Sequence, residues 1–483
     1  MSTEDLSFFQ EEEFKENLAQ YEQMMQGGRP VYLEADELTD IAEYYLIKNQ
    51  KDKAMKCIEY ALSIHPDSVD PMIFLARQKM FNGEMEAAKT IRDSITDQND
   101  REVIFLNAEL LLRENKEQEA HLYLTEWGKA EEKEDYPLYA YDCACLFVDY
   151  GIWEYADQWN ETALDWEPDN DKFLKLKADI LLATNRPQQA IDQLNSLLDR
   201  DPYNIGAWHT LGEAYFATED YTKTLETVDF SLAINEHDDY AILMKANCHF
   251  HQQKFEEAHQ LYSAYLKEWK TNELPYLFDG VCLLTLGHYE EALSQLLQAE
   301  TLAQGYSQEQ LHIYINIAEA YSAMHQIEKA LEYIEKTLTV NPNYDADLYR
   351  GHIMLENNLR EEGLAYYERF IDQHPNTSEA HFFTAVSLVE NKEYEEACKH
   401  LRLVEEQGPS SDGKIHKVNA YMAYCALMQN HFQEFLFHLE KACKEDLDSL
   451  EITIGKYIPE EVEPQDFYQY VLTHPDKFIN FHP

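Results

Sequence analysis

Apolar side chains recur every three or four residues along nearly the whole chain, in segments separated by short polar connections. This spacing places the apolar positions of each segment on one face of an α-helix. Each segment is roughly 12–15 residues long, which corresponds to a helix of about 20 Å. Glycine and proline are scarce, with 15 of each among 483 residues. The pattern therefore predicts an all-α protein made of paired amphipathic helices.

The helix pairs repeat with a period close to 34 residues. Starting from Gly212 and moving in steps of 34, one finds a small residue each time at Ala144, Ala178, Ala246 and Gly280. When spacings of 32 to 38 are allowed, twelve repeats start near residues 35, 69, 101, 137, 171, 205, 239, 273, 311, 344, 378 and 416. Counted from each start, the small residue stands at position 8.

Two further positions support this register. Position 20 is Ala or Gly in ten of the twelve repeats, and Thr224 and Phe435 are the exceptions. Position 32 is proline in six repeats: Pro66, Pro168, Pro202, Pro342, Pro375 and Pro409. Small side chains at positions 8 and 20 let the two helices of a pair approach closely, and proline ends the second helix. Gly212, which costs about 1 kcal/mol within a helix, is thus predicted to mark a close helix crossing.

The repeat resembles the tetratricopeptide repeat. The pattern W-x2-L-G-x2-Y of that family is matched by Trp208, Leu211, Gly212 and Tyr215, whereas the same repeat departs from the family at Thr224 and Glu236. The resemblance covers residues 35 to about 449. It implies a right-handed superhelical solenoid of about twelve helix-turn-helix repeats whose first helices line a concave groove.

The two ends of the chain differ from the repeats. Residues 1–34 are predicted to form an acidic capping helix in which Phe14, Leu18, Tyr21 and Met25 share one face. Residues 450–483 are predicted to form a second cap, with a short helix around Phe467, Tyr470 and Val471, and a tail. Two longer connections, LAQGYSQEQ and QGPSSDGKI, are expected to be loops between repeats that offset the superhelix or act as hinges.

The charge of the chain restricts its partners. Asp and Glu number 91 against 39 Lys and Arg, a formal net charge of −52. Nucleic acid needs a basic binding surface, so this partner is not expected, and an anionic membrane surface is disfavoured for the same reason. No apolar run approaches the ~18 residues of a membrane span, and the amino terminus has no signal-peptide pattern. We expect a cytoplasmic protein with eight buried, inert cysteines.

Motifs of known chemistry are absent from the sequence. The sequence contains neither of the nucleotide-binding patterns G-x-G-x-x-G and G-x4-G-K-[ST]. The nucleophile elbow G-x-S-x-G and the zinc motif H-E-x-x-H are also absent. The closest histidine pair, His249 and His251, points to different sides of one helix. We therefore predict no catalytic, cofactor-binding or metal-binding residues, and a protein that is not an enzyme.

A partner is expected in the groove, at positions 2, 5, 9 and 12 of the first helices. Repeats one to three are acidic there, which favours a partner with a basic flank. Repeats four to eight supply the candidate groove residues: Tyr141, His209, Phe216, Tyr240, Leu243, Asn247, Phe250, His251, Leu277 and Val281. The clamp that the family uses for the carboxylate tails of chaperones is absent, because the only position-5 lysine, Lys175, is followed by Asp179 at position 9.

The predicted function is a non-catalytic scaffold or adaptor that binds a peptide or partner helix in this groove, with Asn247 available to the partner's backbone. Two alternatives remain open. The apolar groove residues could pack only against neighbouring first helices. The chain could also be a self-assembling structural protein whose groove is filled by its own termini or by other copies.

Overall fold

The computed structural model describes residues 9, 12–29, 31–48, 50–269, 272–303, 308–374, 376–407, 417–459, 461–479 and 481. Within these ranges the regular structure is helical, as the apolar periodicity predicts. The chain divides into two compact units, Met1–Met244 and Lys245–Pro483, and the division falls within one helix. We call them the amino-terminal and carboxyl-terminal units.

The helices are numbered in chain order. The amino-terminal unit contains α1 (Glu12–Met25), α2 (Ala35–Ile47), α3 (Lys51–Ile64), α4 (Val69–Phe81), α5 (Met85–Ser94), α6 (Arg101–Arg113), α7 (Glu117–Gly128), α8 (Tyr136–Asp149), α9 (Trp153–Trp166), α10 (Asp171–Ala183), α11 (Pro187–Arg200), α12 (Ile205–Ala217) and α13 (Tyr221–Ile234). The boundary lies in α14 (Asp239–His251).

The carboxyl-terminal unit continues the alternation. It contains α15 (Phe255–Glu268), α16 (Leu274–Thr285), α17 (Tyr289–Leu302), α18 (Gln308–Ala323), α19 (Ile327–Val340), α20 (Ala346–Glu356), α21 (Arg360–Gln373), α22 (Thr377–Glu390), α23 (Tyr394–Gln407), α24 (Asn419–Met428), α25 (Phe432–Glu445), α26 (Leu447–Ile454) and α27 (Phe467–Thr473). Short 3-10 helices follow α26 and flank α27.

The even-numbered helices α2 to α24 are the first helices of the repeats, and the odd-numbered helices α3 to α25 are the second. In the part of the chain that the structure describes, all twelve first helices begin within three residues of the starts predicted from the sequence. The prediction of an all-helical array of about twelve helix pairs is therefore confirmed.

Small residues lie where the paired helices cross. Ala144 on α8 and Ala156 on α9 are fully buried, and the same holds for the alanines at positions 8 and 20 of the neighbouring repeats. A Cβ added to Gly351 would lie 2.5 Å from the Tyr367 ring. At Gly212 the crossing is looser, since an added Cβ would meet only the Thr227 hydroxyl oxygen, at 3.1 Å.

The turn within each repeat has one recurring backbone feature. Among the described turns, position 15 has a positive φ in repeats two to twelve; the corresponding residue of repeat one lies outside the described residues. Glycine occupies some of these positions, as at Gly151, whereas Glu219 and Lys392 adopt the same left-handed conformation with φ near 60°. In repeat three, Asn115 N–H donates to the Leu112 carbonyl (3.0 Å) and closes the first helix.

The ends of the array contribute helices of their own. Helix α1 packs against α2 and buries Phe14 and Tyr21, with Leu18 half-buried. Met25, which was expected on the same face, is half exposed because the helix ends there. At the other end, α27 buries Phe467 and Val471. Pro375, Pro409 and most of the two longer connections lie outside the described residues, so the structure does not test those predictions.

Candidate binding clefts on the first-helix face

Within each unit several neighbouring first helices contact one another, and we call the surface that they form the first-helix face of that unit. In the amino-terminal unit α2 contacts α4, α4 contacts α6, and α10 contacts α12. In the carboxyl-terminal unit α16, α18, α20, α22 and α24 contact one another in sequence. Side chains between neighbouring first helices therefore either pack against each other or leave a cleft open to solvent.

The candidate groove residues of the amino-terminal unit are half-buried and have partners within the chain. The Tyr141 ring stacks on Phe173, with 5.1 Å between the ring centroids. The Tyr240 ring lies 4.3 Å from the His209 ring, and the Tyr240 hydroxyl donates to Glu213 Oε1 at 2.5 Å. These contacts fix the orientation of the three predicted side chains.

His209 is also tied to a buried carboxylate. Its Nε2 lies 2.6 Å from Oδ2 of Asp238, at the start of α14. Burial alone would raise the pKa of Asp238, but hydrogen bonds from His209, from the Ser231 hydroxyl and from the Ala241 N–H bring it below its ordinary value. Asp238 is therefore a stable anion that holds His209 in place. Of the other two predicted residues, Phe216 packs on Tyr221 and Leu243 is half-buried.

The candidate residues of the carboxyl-terminal unit are divided between the interior and the surface. Leu277 is only 5% exposed, so it is a core residue and not a surface contact. Asn247 was expected to serve a partner's backbone, but its side-chain oxygen already accepts a hydrogen bond from the Tyr262 hydroxyl at 2.6 Å. Phe250 packs between Phe255 and Phe278. His251 is exposed and Val281 is half-buried.

A cleft of about 720 Å³ opens on the first-helix face of repeats one to three. We call it the amino-terminal cleft. Carboxylates from three first helices line it: Asp36, Asp40 and Glu43 on α2, Asp70 on α4, and Glu102 on α6. Apolar side chains form the remaining wall: Phe9, Leu46, Ile47, Ile73 and Phe74. Sequence analysis anticipated the acidic residues but not the cavity.

One arginine neutralises part of this cleft. The Arg77 guanidinium contacts Glu109 Oε1 through Nη2 (2.7 Å) and Nε (2.9 Å), and Glu102 at 3.2 Å. In the described part of the chain, no basic side chain pairs with Asp36, Asp40 or Asp70. Burial, together with the charges of Asp36, Asp70 and Glu37, raises the pKa of Asp40 to about 6. Asp36, Asp40 and Asp70 therefore give the cleft negative charge that no basic side chain of the described residues balances.

A second cleft of about 520 Å³ lies on the first-helix face of repeats nine to eleven. We call it the carboxyl-terminal cleft. Glu319 on α18, Glu356 on α20 and Glu390 on α22 line it, together with Ser322, His352, Ser387 and Asn391. Its apolar lining includes Ile315, Tyr349, Phe383 and Val386.

Three further properties of the chain concern metal binding, membrane spans and cysteine chemistry. In the ranges given above, no group of three or more His, Cys, Asp or Glu side chains is arranged to hold a metal ion. Nor does that part of the chain contain a helix of the length and apolar character that a bilayer span requires. None of the eight cysteines is in a disulfide within the described residues, and five of them are buried, whereas Cys145, Cys398 and Cys443, which were also expected to be buried, are partly exposed. Burial raises the pKa of Cys145 to about 11, which makes this thiol a poor nucleophile.

Stacked helix pairs with small-residue crossings and a face of first helices define the chain as an all-helical repeat protein. Its sequence matches the tetratricopeptide repeat family at residues 156–205, 311–344 and 354–412. Residues 227–299 also match the family of anaphase-promoting complex, cyclosome, subunit 3. The chain is a tetratricopeptide repeat protein, and such proteins generally mediate protein–protein interactions.

Similar proteins come from bacteria and archaea. The TPR repeat-containing protein YpiA of Bacillus subtilis (strain 168) is 23% identical over 357 residues, which cover 71% of this chain and 81% of YpiA. The protein MJ1428 of Methanocaldococcus jannaschii is 22% identical over 229 residues, 44% of this chain and 40% of MJ1428. A tetratricopeptide repeat protein from Parabacteroides merdae aligns with 56% of this chain and all of its own, at 15% identity and a TM-score of 0.40.

Proposed function

We propose that the chain is a non-catalytic, cytoplasmic scaffold or adaptor whose amino-terminal cleft binds a segment of a partner protein. The observation that carries this proposal is the amino-terminal cleft itself, an open cavity with one apolar wall and an acidic rim. Ligand sites on proteins commonly combine such a wall with a few charged groups that fix orientation. The size of the cavity suits a short stretch of peptide.

The apolar and the acidic lining residues each predict one feature of the partner segment. Ile73 and Phe74 on α4, with Leu46 and Ile47 on α2, would receive an apolar side chain. Asp40 and Asp70 would attract a basic residue that flanks it, because their charges have no basic partner within the described chain. Charge complementarity of this kind raises the association rate and rejects acidic competitors.

The candidate groove residues would extend this surface along the same unit. Tyr141, His209 and Tyr240 are only half-buried although each has a partner in the chain. Rings that are already oriented lose little entropy when they bind. Their contribution to partner binding is a prediction and requires its own variants.

Affinity capture from the native cell tests the proposal. The bait is the full chain, compared with the charge-reversed variant Asp40→Lys/Asp70→Lys and with a matched control, Asp52→Lys/Asp67→Lys, at two exposed positions outside the cleft. A partner that binds the cleft is retained by the wild type and the control and lost by the cleft variant. The purified partner should then bind the cleft variant at least tenfold more weakly in calorimetry. Equal binding to all three baits by every captured protein would refute the proposal.

One observation favours the alternative in which the chain fills its own cleft. Phe9, near the amino-terminal end, lines the cleft and packs against Phe14 and Tyr44, with ring centroids 4.9 Å and 5.7 Å away. Light scattering of the wild type and a Phe9→Ser variant distinguishes the two functions. Self-assembly that depends on Phe9 would favour the structural alternative, whereas a monomer in both cases would show that other copies do not fill the cleft.

A further inference from the structure

Two of the eight cysteines lie side by side where repeat eleven meets repeat twelve. Cys398 stands on α23, the second helix of repeat eleven, and Cys425 stands on α24, the first helix of repeat twelve. The two helices pack against each other, and both cysteines belong to one apolar cluster. Cys425 is fully buried, whereas Cys398 is partly exposed. One thiol of the pair can therefore be reached from solvent, and the other cannot.

Contacts around the two sulfur atoms bring them together. The Cys425 thiol donates a hydrogen bond to the Cys398 sulfur. Gln429 follows Cys425 by about one helical turn, and its Nε2 lies 3.1 Å from the Cys425 carbonyl oxygen and 3.8 Å from Cys398 Sγ. The Gln429 amide therefore holds Cys398 Sγ against the part of α24 that carries Cys425. A disulfide requires such proximity of two sulfur atoms.

The same contacts make the two thiols unequal. The hydrogen bond from Cys425 lowers the pKa of Cys398 and outweighs the effect of burial, and the Gln429 amide acts in the same direction. The charge of Glu434 raises this pKa and that of Arg402 lowers it, and these two side chains pair with each other at 3.1 Å. For Cys425, the hydrogen bond to Cys398 and burial raise the pKa. Cys398 is thus the nucleophile of the pair, because the thiolate is the reactive form.

Two other cysteines show what this arrangement adds. Cys57 is buried, and its thiol donates to the Leu38 carbonyl oxygen at 3.2 Å. Burial raises the pKa of Cys57 to about 12. Cys443 on α25 is partly exposed like Cys398, yet burial raises the pKa of Cys443 as well. Partial exposure alone therefore does not make a thiol of this chain reactive, and the neighbouring thiol of Cys425 distinguishes Cys398.

We propose that Cys398 and Cys425 are a redox-sensitive pair that hydrogen peroxide converts into a disulfide. Partly exposed thiols beside a second cysteine are typical of such pairs. The Cys398 thiolate attacks one peroxide oxygen, the O–O bond breaks, and Cys398 becomes a sulfenic acid as hydroxide leaves. This hydroxide takes the proton of Cys425 and becomes water.

The second step forms the disulfide. The Cys425 thiolate attacks the Cys398 sulfur, the S–O bond breaks, and the oxygen leaves as hydroxide. That hydroxide takes up the proton that Cys398 released when it ionised. The two sulfur atoms together lose two electrons, and one peroxide molecule is reduced to two molecules of water.

The bond would join two neighbouring repeats covalently. It closes a loop of about 27 residues, and such a closure lowers the entropy of the unfolded chain. In a repeat protein each repeat is stabilised by contacts with its neighbours. The disulfide would therefore hold repeat twelve against repeat eleven. The amino-terminal cleft lies in the other unit, so this inference goes beyond the proposed function and does not depend on it.

Oxidation of the full-length chain tests the proposal. Fully reduced wild-type protein is treated with a small excess of hydrogen peroxide and then denatured, its free thiols are counted, and its disulfides are mapped by mass spectrometry of non-reduced peptides. We expect the thiol count to fall from eight to six. The mapped disulfide should join Cys398 to Cys425, and dithiothreitol should restore both thiols. Amide hydrogen exchange in α24 should be slower in the oxidised chain.

Three variants separate the roles of the two thiols. In Cys425→Ser the sulfenic acid of Cys398 should persist and be trapped by dimedone, whereas Cys398→Ser should leave Cys425 unlabelled. The matched control Cys443→Ser should form the disulfide as the wild type does. The proposal is overturned if the wild type keeps eight thiols, if the disulfide joins another pair, or if Cys398 becomes a sulfinic acid without bonding to Cys425. A disulfide that leaves hydrogen exchange in α24 unchanged would overturn its stabilising role.

Discussion

Each cleft lies on the first-helix face of its own unit. The two clefts differ in how far arginine side chains balance their carboxylates. Arg77 in the amino-terminal cleft pairs with Glu102 and with the neighbouring Glu109, whereas Asp36 and Asp40 on α2 pair with no basic side chain of the described residues. In the carboxyl-terminal cleft no lysine or arginine of the described residues takes part, and serine, histidine and asparagine side chains form the polar wall instead. The repeat determines which positions line the face. The side chains at those positions decide how much charge remains for a partner.

The largest expected effect comes from removing the arginine that distinguishes the amino-terminal cleft. Arg77→Met leaves Glu109, whose side chain is only 13% exposed, without its cation among several other carboxylates. A buried carboxylate that loses its partner is costly. Because Arg77 itself is partly exposed, we expect unfolding by urea to become easier by about 2 kcal/mol.

The matched control for Arg77 is Lys129→Met. Lys129 pairs with Glu126, and both side chains are largely exposed. An exposed pair of this kind contributes less than ~0.5 kcal/mol. A similar loss in both variants would show that the cleft arginine is an ordinary surface charge, and the contrast between the two clefts would disappear.

The second prediction concerns the packing behind the carboxyl-terminal cleft. Gly351→Ala places a Cβ against the Tyr367 ring, whose hydroxyl contacts Ser387 in the cleft wall. Forcing an extra methyl into a packed crossing costs about 1–3 kcal/mol, and the better helix propensity of alanine returns part of this. We expect a net loss of about 1–2 kcal/mol in thermal unfolding.

Gly212→Ala serves as the comparison, because Gly212 stands at the same repeat position with only the Thr227 hydroxyl nearby. A small rotation of that hydroxyl makes room for the methyl group. We therefore expect unchanged or slightly increased stability. If both glycine variants lose the same stability, the crossings do not differ as described.

The helix crossings could be predicted from the sequence because they depend on residue size. An alanine or glycine at position 8 allows the two helices of a pair to approach closely in every repeat. Counting back from this residue gives the starts of all twelve described first helices to within three residues. The left-handed residue at position 15 was missed. Glycine marks it at Gly151, but Glu219 and Lys392 have no preference for that conformation and are held there by the two helices that they connect.

The clefts were predicted only in part, since a cavity is a property of several helices together. The acidic residues of repeats one to three were recognised as groove residues, whereas the cavity between them was not. In repeat seven the aromatic side chains Tyr240 and Phe250 pack on other side chains of their own units. The spacing of residues in the sequence shows which face of a helix a side chain occupies. It does not show how far that side chain lies from the side chains of a neighbouring helix.

The third prediction uses the pH dependence of the amino-terminal cleft. The pKa of Asp40 is raised from 3.8 to about 6 in the folded protein, so the folded state binds this proton more tightly than the unfolded state. Between these values the folded chain holds more protons, and the free energy of unfolding therefore falls as the pH rises. It levels off above pH ~7. After allowance for solvent screening, the decrease should be about 1 kcal/mol.

Asp40→Asn should remove this decrease and increase the stability at pH 7.5 by about the same amount. Urea unfolding at several pH values between 4 and 8 measures it, with Asp67→Asn, at an exposed position outside the cleft, as the control. A pH profile that is identical in the wild type and Asp40→Asn would show that the cleft carboxylates do not repel one another in the folded chain.

The smallest expected effect is the corresponding substitution in the carboxyl-terminal cleft. Glu319→Gln removes a carboxylate whose pKa is raised by burial and by Glu356 and Glu390. Although the cleft walls desolvate the carboxylate, the Glu319 side chain is still exposed, so solvent screening reduces the gain in stability at pH 7.5 to about 0.5 kcal/mol. Glu361→Gln, at an exposed position of the second helix α21, should change nothing measurable. Because no lysine or arginine of the described residues lines this cleft, 0.5 M salt should abolish the gain from Glu319→Gln, whereas much of the loss from Arg77→Met should persist through its less exposed partner Glu109. If salt changed the stability effects of both variants equally, the charges of the two clefts would be screened to the same degree, and the contrast between the clefts would not hold.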